Sequence, residues 1–275
     1  MSLQIGLNGR FFAQNWRPAR DEIDFAAANG FASIQFQGKP AGLQAAALGA
    51  DFASIRQQLE AQHIMAVMEI NLQIDAAGRA ATGQTPLEVL EANLPAIAGL
   101  GCKYVHWHLN NQPVLEFQHV AELEIGLQPQ FAAGVALAQQ HGFKFGFEHN
   151  DPILRLFTTP QACRQLLDAV PDLGFVWDFN HTLPEDLAGF LQLIPRMSML
   201  HISDTPLPEV NCHLPLGLGT IDFAAYCQAL VAANFHGPAI LEIGGLPKSG
   251  GYGRDTDAAL IDSLAYLKAA LLQVS

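Results

Sequence analysis

Apolar runs and amphipathic stretches alternate along the whole chain. Short runs of β character occupy residues 3–8, 31–36, 64–70, 102–109, 143–148, 173–178, 197–202 and 238–243. Between them, apolar positions recur with helical spacing over 19–29, 52–62, 86–100, 131–141, 159–170, 183–194, 223–234 and 257–272. Several boundaries carry their own chemistry. Thr85-Pro86 and Thr159-Pro160 read as N-caps followed by proline at the first helical position, and Gly30, Gly101 and Gly142 fall where a helix ends in a left-handed residue.

Parallel neighbours need a crossover connection, which a helix supplies, so this alternation predicts a parallel sheet. Eight such units in roughly 250 residues is the size at which a sheet closes, so the expected fold is α/β, a (β/α)8 TIM barrel. An open doubly wound sheet is the rival, but no GxGxxG follows the first strand. The loop there is Asn8-Gly9-Arg10-Phe11-Phe12, which suits an aromatic cover better than a pyrophosphate cradle. No linker, composition shift or low-complexity tract divides the chain, and residues 1–275 read as one domain.

Half the residues are apolar, ample for a core, and the net charge is −12. That charge repels phosphate backbones and anionic membranes, which argues against nucleic-acid and membrane partners. The N-terminus, Met1-Ser2-Leu3-Gln4-Ile5, lacks the features of a secretion signal, and no stretch approaches the roughly 20 apolar residues of a membrane span, so the expected compartment is the cytoplasm. Cys102, Cys163, Cys212 and Cys227 lie far apart without CxxC spacing and read as reduced, buried fillers.

In such a barrel the active site lies at the C-terminal ends of the strands. The fifth run ends in Phe147-Glu148-His149-Asn150, the sixth in Trp177-Asp178-Phe179-Asn180-His181, the seventh in Leu200-His201-Ile202-Ser203-Asp204 and the eighth in Leu241-Glu242-Ile243-Gly244-Gly245. Glu148, Asp178, His201 and Glu242 therefore stand at one height on successive strands. Three carboxylates and an imidazole suit a divalent ion of the Mn²⁺, Mg²⁺ or Co²⁺ kind, with Zn²⁺ also admissible, and leave positions for substrate oxygens. One such carboxylate alone reads as solvated or as a helix cap. Four together, at the ends of apolar strands, read as a metal site.

These strand ends, followed by His213-Leu214-Pro215-Leu216-Gly217-Leu218-Gly219, resemble the xylose isomerase-like TIM barrels. Within them the chain is most similar to the sugar isomerase/epimerase group that includes ketose 3-epimerases and hydroxypyruvate isomerase, best over residues 143–245. The resemblance implies that Glu148 and Glu242 are metal ligands and also the acid/base pair, and that Asp178 and His201 are metal ligands. It implies that His181 and His213 bind substrate, and dimers or tetramers fit it. Ketose 3-epimerases carry an arginine soon after the seventh-strand histidine, where this chain has Thr205-Pro206-Leu207.

The implied reaction moves a proton next to a carbonyl in a small polyhydroxy ketone or aldehyde. Such a proton is too weakly acidic for a carboxylate unless the developing enediolate is stabilised, which a bound metal supplies. One glutamate removes the proton and the other returns it. His106 and His108 share a face of the fourth strand; His108 reaches substrate or forms the pocket wall, and Glu69 binds a sugar hydroxyl or holds a histidine. Trp16, Phe11, Phe12 and Trp107 are candidate apolar wall residues. The glycine-rich segment 244–254, with Lys248 and Arg254, is a candidate phosphate loop or a solvated one. His63, His119, His141 and His236 fall on helix ends or loops.

Three rivals share the barrel. A keto-inositol-type dehydratase uses the same metal and base but expels hydroxide. An endonuclease IV-like phosphodiesterase needs more ligands at strands two to four, where the second ends Gln35-Phe36-Gln37, and a basic groove. A sugar-binding barrel without chemistry is disfavoured, because a ring of three carboxylates repels itself without a cation.

Overall fold

The boundary residues act as their chemistry requires. Thr85 accepts from the Glu88 amide at 3.3 Å while the Glu88 carboxylate accepts from the Thr85 amide at 2.7 Å, a reciprocal cap. The Thr159 hydroxyl accepts from the Ala162 amide. Gly30, Gly101 and Gly142 close their helices at φ of 78°, 69° and 76°, a region costly for any residue with a Cβ.

The computed structural model describes residues 3–274. The N-terminal leader reading includes Met1 and Ser2, which lie outside the described residues. The barrel strands are β1 (Gln4–Asn8), β2 (Ser33–Gln37), β3 (Met65–Ile74), β4 (Tyr104–Asn111), β5 (Lys144–Glu148), β6 (Gly174–Asp178), β7 (Met197–Ile202) and β8 (Pro238–Leu241). All pair in parallel with their sequence neighbours, and β1 pairs with β8 to close the barrel. The crossover helices are α1 (Ala19–Asn29), α2 (Phe52–Ala61), α3 (Pro86–Leu100), α4 (Phe117–His141), α5 (Pro160–Ala169), α6 (Leu187–Leu191), α7 (Phe223–Ala232) and α8 (Asp257–Gln273). Val67, Val176, Met199 and Ile240 fill the barrel interior, and a larger apolar layer lies between strands and helices. No helix among the described residues is long and apolar enough to cross a membrane.

Three elements differ from the sequence expectation. Helix α4 starts at Phe117 rather than 131, because Val120, Leu123, Leu127 and Phe131 form one buried stripe that runs through Gly126 and Pro129. Strand β3 continues past residue 70, with Leu72 and Ile74 buried and Asn71 and Gln73 exposed, and pairs with β4 as far as Asn111. The expected helix over 183–194 shrinks to the five residues of α6, followed by a short 3-10 turn at Ile194–Arg196 that contains Pro195.

All four cysteines are free and buried. Burial pushes the Cys102 thiol up to about 12, so it stays protonated and unreactive.

The β1 loop is less an aromatic cover than a buried ion pair. Arg10 is 3% exposed and grips the fully buried Glu22 of α1 with two guanidinium hydrogen bonds, of 2.8 and 2.7 Å. Arg10 also reaches Asp257 at the start of α8, and Arg17 pairs with the same two acids. The first and last helices are thereby tied to the loop that follows β1. Residues Phe11–Phe12 and Asn15–Trp16 form a two-stranded ribbon beside it.

Candidate metal centre and its cavity

Parallel register places the polar strand ends in one tier. Asp178 lies opposite His201 across β6 and β7, and the Glu242 amide donates to the Ile202 carbonyl at 2.9 Å, carrying Glu242 one residue beyond β8 at the same height. One ligand atom each from Glu148, Asp178, His201 and Glu242 lies within 4.8 Å of the other three. His201 Nδ1 stands 3.1 Å from Glu148 Oε2 and 2.9 Å from Glu242 Oε2.

Both oxygens of Glu148, Asp178 Oδ2 and His201 Nδ1 are buried without a hydrogen bond. Buried carboxylate oxygens are costly to leave bare. Three oxygen-bearing acids and one imidazole are a donor set for a divalent cation, so the residues fit a bound ion. Charge is already concentrated here. Burial alone would raise the Glu148 pKa, but His108, His201 and His106 hold it well below the usual carboxylate range. Burial and the neighbouring Glu148 push Asp178 up, against the opposing pull of His181. His201 lies well above an ordinary histidine because Glu148 and Glu242 outweigh its burial.

A second tier comes from β1 to β4. Glu69, 3% exposed, accepts from Gln35 Nε2 at 3.1 Å and Gln37 Nε2 at 3.0 Å on one oxygen. Its other oxygen faces Asn71 Nδ2 and His108 Nδ1, both at 3.3 Å. Burial opposes its ionisation, yet the hydrogen bond and charge of His108 carry its pKa down to about 2. Burial likewise opposes charging His108, but Glu148, Glu69 and Glu242 lift it to about 10. His108 Nε2 donates to Asn150 Oδ1 at 2.9 Å, an orientation fixed because the Asn150 amide group donates to the Leu109 and Leu156 carbonyls. Neighbouring His106 is fully buried with both ring nitrogens unpartnered, and its Nε2 lies 3.4 Å from Glu148. His149, one residue beyond Glu148, is kept neutral by burial and by His181, at about 3, and packs on Phe190.

His181 Nδ1 faces the His149 carbonyl at 3.0 Å, and its Nε2 lies 3.3 Å from Asp178 Oδ2. His213 Nδ1 faces the Glu242 carbonyl at 2.8 Å, and its Nε2 faces Asn211 Oδ1 at 2.9 Å. Asn211 and His213 both adopt the left-handed region, with φ of 59° and 51°, a strained backbone concentrated beside the site. What holds this loop is Asp204, which is buried and accepts backbone hydrogen bonds from Thr205, Gly217, Gly219 and Ile221. A Cβ on Gly219 would lie 2.3 Å from that carboxylate, which is why glycine stands there. Asp204→Asn leaves an amide where carboxylate lone pairs were. It is expected to destabilise the protein by roughly 1–3 kcal/mol, as buried donors lose a charged acceptor, and chemical denaturation measures this.

Above the tier opens a cavity of about 510 Å³, a size typical of small-ligand sites. Its polar lining includes Asn8, Gln37, Glu69, Asn71, His108, Asn110, His181, Asn211, His213 and Glu242. Glu242 thus opens on the cavity, with a side chain 16% exposed, whereas Glu148 lies closed beneath it, within ligand-atom reach of His108 and His181. Of the four aromatics expected as a wall, Phe12 lines the cavity, joined there by Tyr252. Phe11 instead stacks on Phe36, Trp107 packs in the core against Phe131 and Phe145, and the Trp16 indole donates to Ala47. Lys248 and Arg254 do not line the cavity, and Lys248 pairs with Glu209 at 3.0 Å.

Asn8, Gln35, Gln37 and Asp204 escaped the sequence analysis. The first three were within reach of the rule applied to strands five to eight. Asn8 closes β1, and Gln35 and Gln37 alternate along β2 as inward positions do.

A family profile described as xylose isomerase-like TIM barrel matches residues 23–270, and the chain belongs to that family. Among solved structures, a D-allulose 3-epimerase from Methylomonas sp. is similar at 21% identity and TM-score 0.72, covering 98% of each chain. An IolI protein with a bound zinc atom is similar at 16% identity and TM-score 0.76 over 99% of each chain. An L-ribulose 3-epimerase is similar at 16% identity and TM-score 0.74, over 99% of this chain and 96% of its own. No curated protein matches the sequence. At these identities the structural likeness establishes the shared fold.

Proposed function

We propose that this protein is a divalent-metal-dependent sugar isomerase or epimerase acting on a small polyhydroxy ketone or aldehyde. The observation that carries the reading is the cluster of Glu148, Asp178, His201 and Glu242 beneath a polar cavity, in which both Glu148 oxygens, Asp178 Oδ2 and His201 Nδ1 are buried without a hydrogen bond. The similar structures support it, being sugar epimerases in two cases and a zinc-bound protein in the third.

Glu148, Asp178, His201 and Glu242 would hold the ion. Bound there, it would supply polarisation of the substrate carbonyl and stabilisation of the charge that develops as the neighbouring C–H bond breaks. Glu242, open to the cavity, exchanges a proton with the substrate carbon from one side. Glu148 does so from the cavity floor, and the two stand on either side of His201. His108, fixed between Asn150 and Glu69, presents a positive ring toward substrate oxygens. His181 and His213 bind hydroxyls, and the amides of Asn8, Gln37, Asn71 and Asn110 suit further ones.

Two experiments test this. Removal of the ion with a chelator should lower the melting temperature, and adding Mn²⁺, Co²⁺, Mg²⁺ or Zn²⁺ back should restore it. At a hundredfold excess over Kd the gain is about 2.7 kcal/mol, which is several degrees for a chain of this size. No shift with any of the four ions contradicts the metal reading. Incubating the loaded protein with a panel of ketoses, aldoses and inosones, with product identification, then tests the reaction. Changed configuration or carbonyl position supports the proposal, and loss of water makes the protein a dehydratase instead.

A further inference from the structure

The metal reading leaves Glu69 without a task, because its carboxylate is covered by four donors, Gln35, Gln37, Asn71 and His108. An acceptor surrounded only by donors dictates how each neighbouring amide is turned. Gln35 spends its amide N–H on Glu69 at 3.1 Å, so its carbonyl Oε1 faces the other way, 2.9 Å from His201 Nε2. A carbonyl there requires His201 to carry its proton on Nε2, which leaves Nδ1 to face the ion between Glu148 and Glu242. The same carboxylate works through a second arm. Gln37 Nε2 donates to Glu69 and also to Asn8 Oδ1 at 2.9 Å, so Asn8 turns its Nδ2 to Glu242 Oε1 at 2.8 Å and leaves Oε2 beside His201. Gln35 is fully buried and Gln37 is 7% exposed, so water does not compete for these orientations.

We infer that Glu69 is a positioning residue whose carboxylate, acting through Gln35 and through the Gln37 and Asn8 pair, sets the tautomer of His201 and the rotamer of Glu242. The inference rests on the metal reading and goes beyond it by assigning polar residues of strands β1, β2 and β3 to the ion's support. Polarity, rather than packing, is the operative feature. Glu69→Gln keeps the shape but allows the amide chain to reverse, and Gln35→Leu removes the link to His201. The exchange Gln35→Glu with Glu69→Gln rebuilds a chain of the same direction, since the new glutamine donates to the new carboxylate, which accepts from His201.

The test uses full-length protein with zinc as the probe. Each single variant is expected to bind zinc 10-fold to 100-fold more weakly than wild type, the usual effect of removing a ligand's supporting partner. The exchange variant should recover most of that loss. In zinc-loaded wild type, ¹⁵N NMR of the histidine rings should show His201 bound through Nδ1 with Nε2 protonated, a measurement independent of how any variant folds. Zinc bound through Nε2, unchanged affinity in folded Gln35→Leu, or an exchange variant no better than Glu69→Gln overturns the inference while leaving the metal reading intact. Wild type that binds no zinc at this cluster overturns both.

Discussion

Glu148→Gln is expected to yield a folded barrel without measurable turnover. The side chain is wholly buried, with His201 Nδ1 3.1 Å from its Oε2. The amide has nearly the same volume, so the barrel should still form, but the His108 and His201 rings lose a buried counter-charge, so the melting temperature of metal-free protein should fall. Catalysis fares differently, because an amide neither takes nor returns a proton, and general acid or base groups contribute roughly 10²–10⁴ in rate. The ion also loses one of its three anionic ligands, so affinity falls as well. Glu242→Gln should cost a comparable factor in kcat, although Glu242 lines the cavity and accepts a hydrogen bond from Asn8 that the amide oxygen can keep. Metal content measured beside kcat separates the two losses. Wild-type turnover in either metal-loaded variant removes the acid/base assignment.

The largest expected effect on stability lies away from the site. Glu22→Gln should destabilise the protein by roughly 3–5 kcal/mol, the cost of leaving a buried charge without its partner. Arg10 would keep Asp257 and one hydrogen bond to the remaining amide oxygen, but its other guanidinium donor would face an NH2 group and the counter-charge that Arg10 and Arg17 share would be gone. At about 2–4 °C per kcal/mol, the melting temperature should fall on the order of 10 °C. Replacing both partners, Arg10→Met with Glu22→Leu, should cost much less, since a buried ion pair adds little over a packed apolar pair. Urea denaturation of the three proteins reads both differences. A Glu22→Gln loss under about 1 kcal/mol, the range of exposed pairs, would show the pair to be solvated in solution.

The barrel was legible because period and caps agree. Every expected strand forms, and the left-handed glycines end their helices where the periodicity stops. The helix expected from residue 131 was too short because its earlier half is set by tertiary packing. A buried stripe from Val120 to Phe131 carries α4 back to Phe117. That Glu148, Asp178, His201 and Glu242 converge was legible because ionisable residues at the ends of apolar strands stand out. The supporting amides Asn8, Gln35 and Gln37 obey the same strand-end rule but carry no charge to mark them out, since asparagine and glutamine at strand ends also occur as ordinary exposed residues. Only closure of the barrel brings Gln35 on β2 to His201 on β7, 166 residues away. The Arg10 ion pair was hidden for the same reason, since its partners lie on the first and last helices.

An anomalous-difference map from crystals of the manganese-loaded protein would locate the ion. One dominant peak is expected within coordination distance of Glu148, Asp178, His201 and Glu242, at the floor of the cavity. A manganese peak bound elsewhere, or these four side chains turned apart around bulk water, would contradict the metal reading.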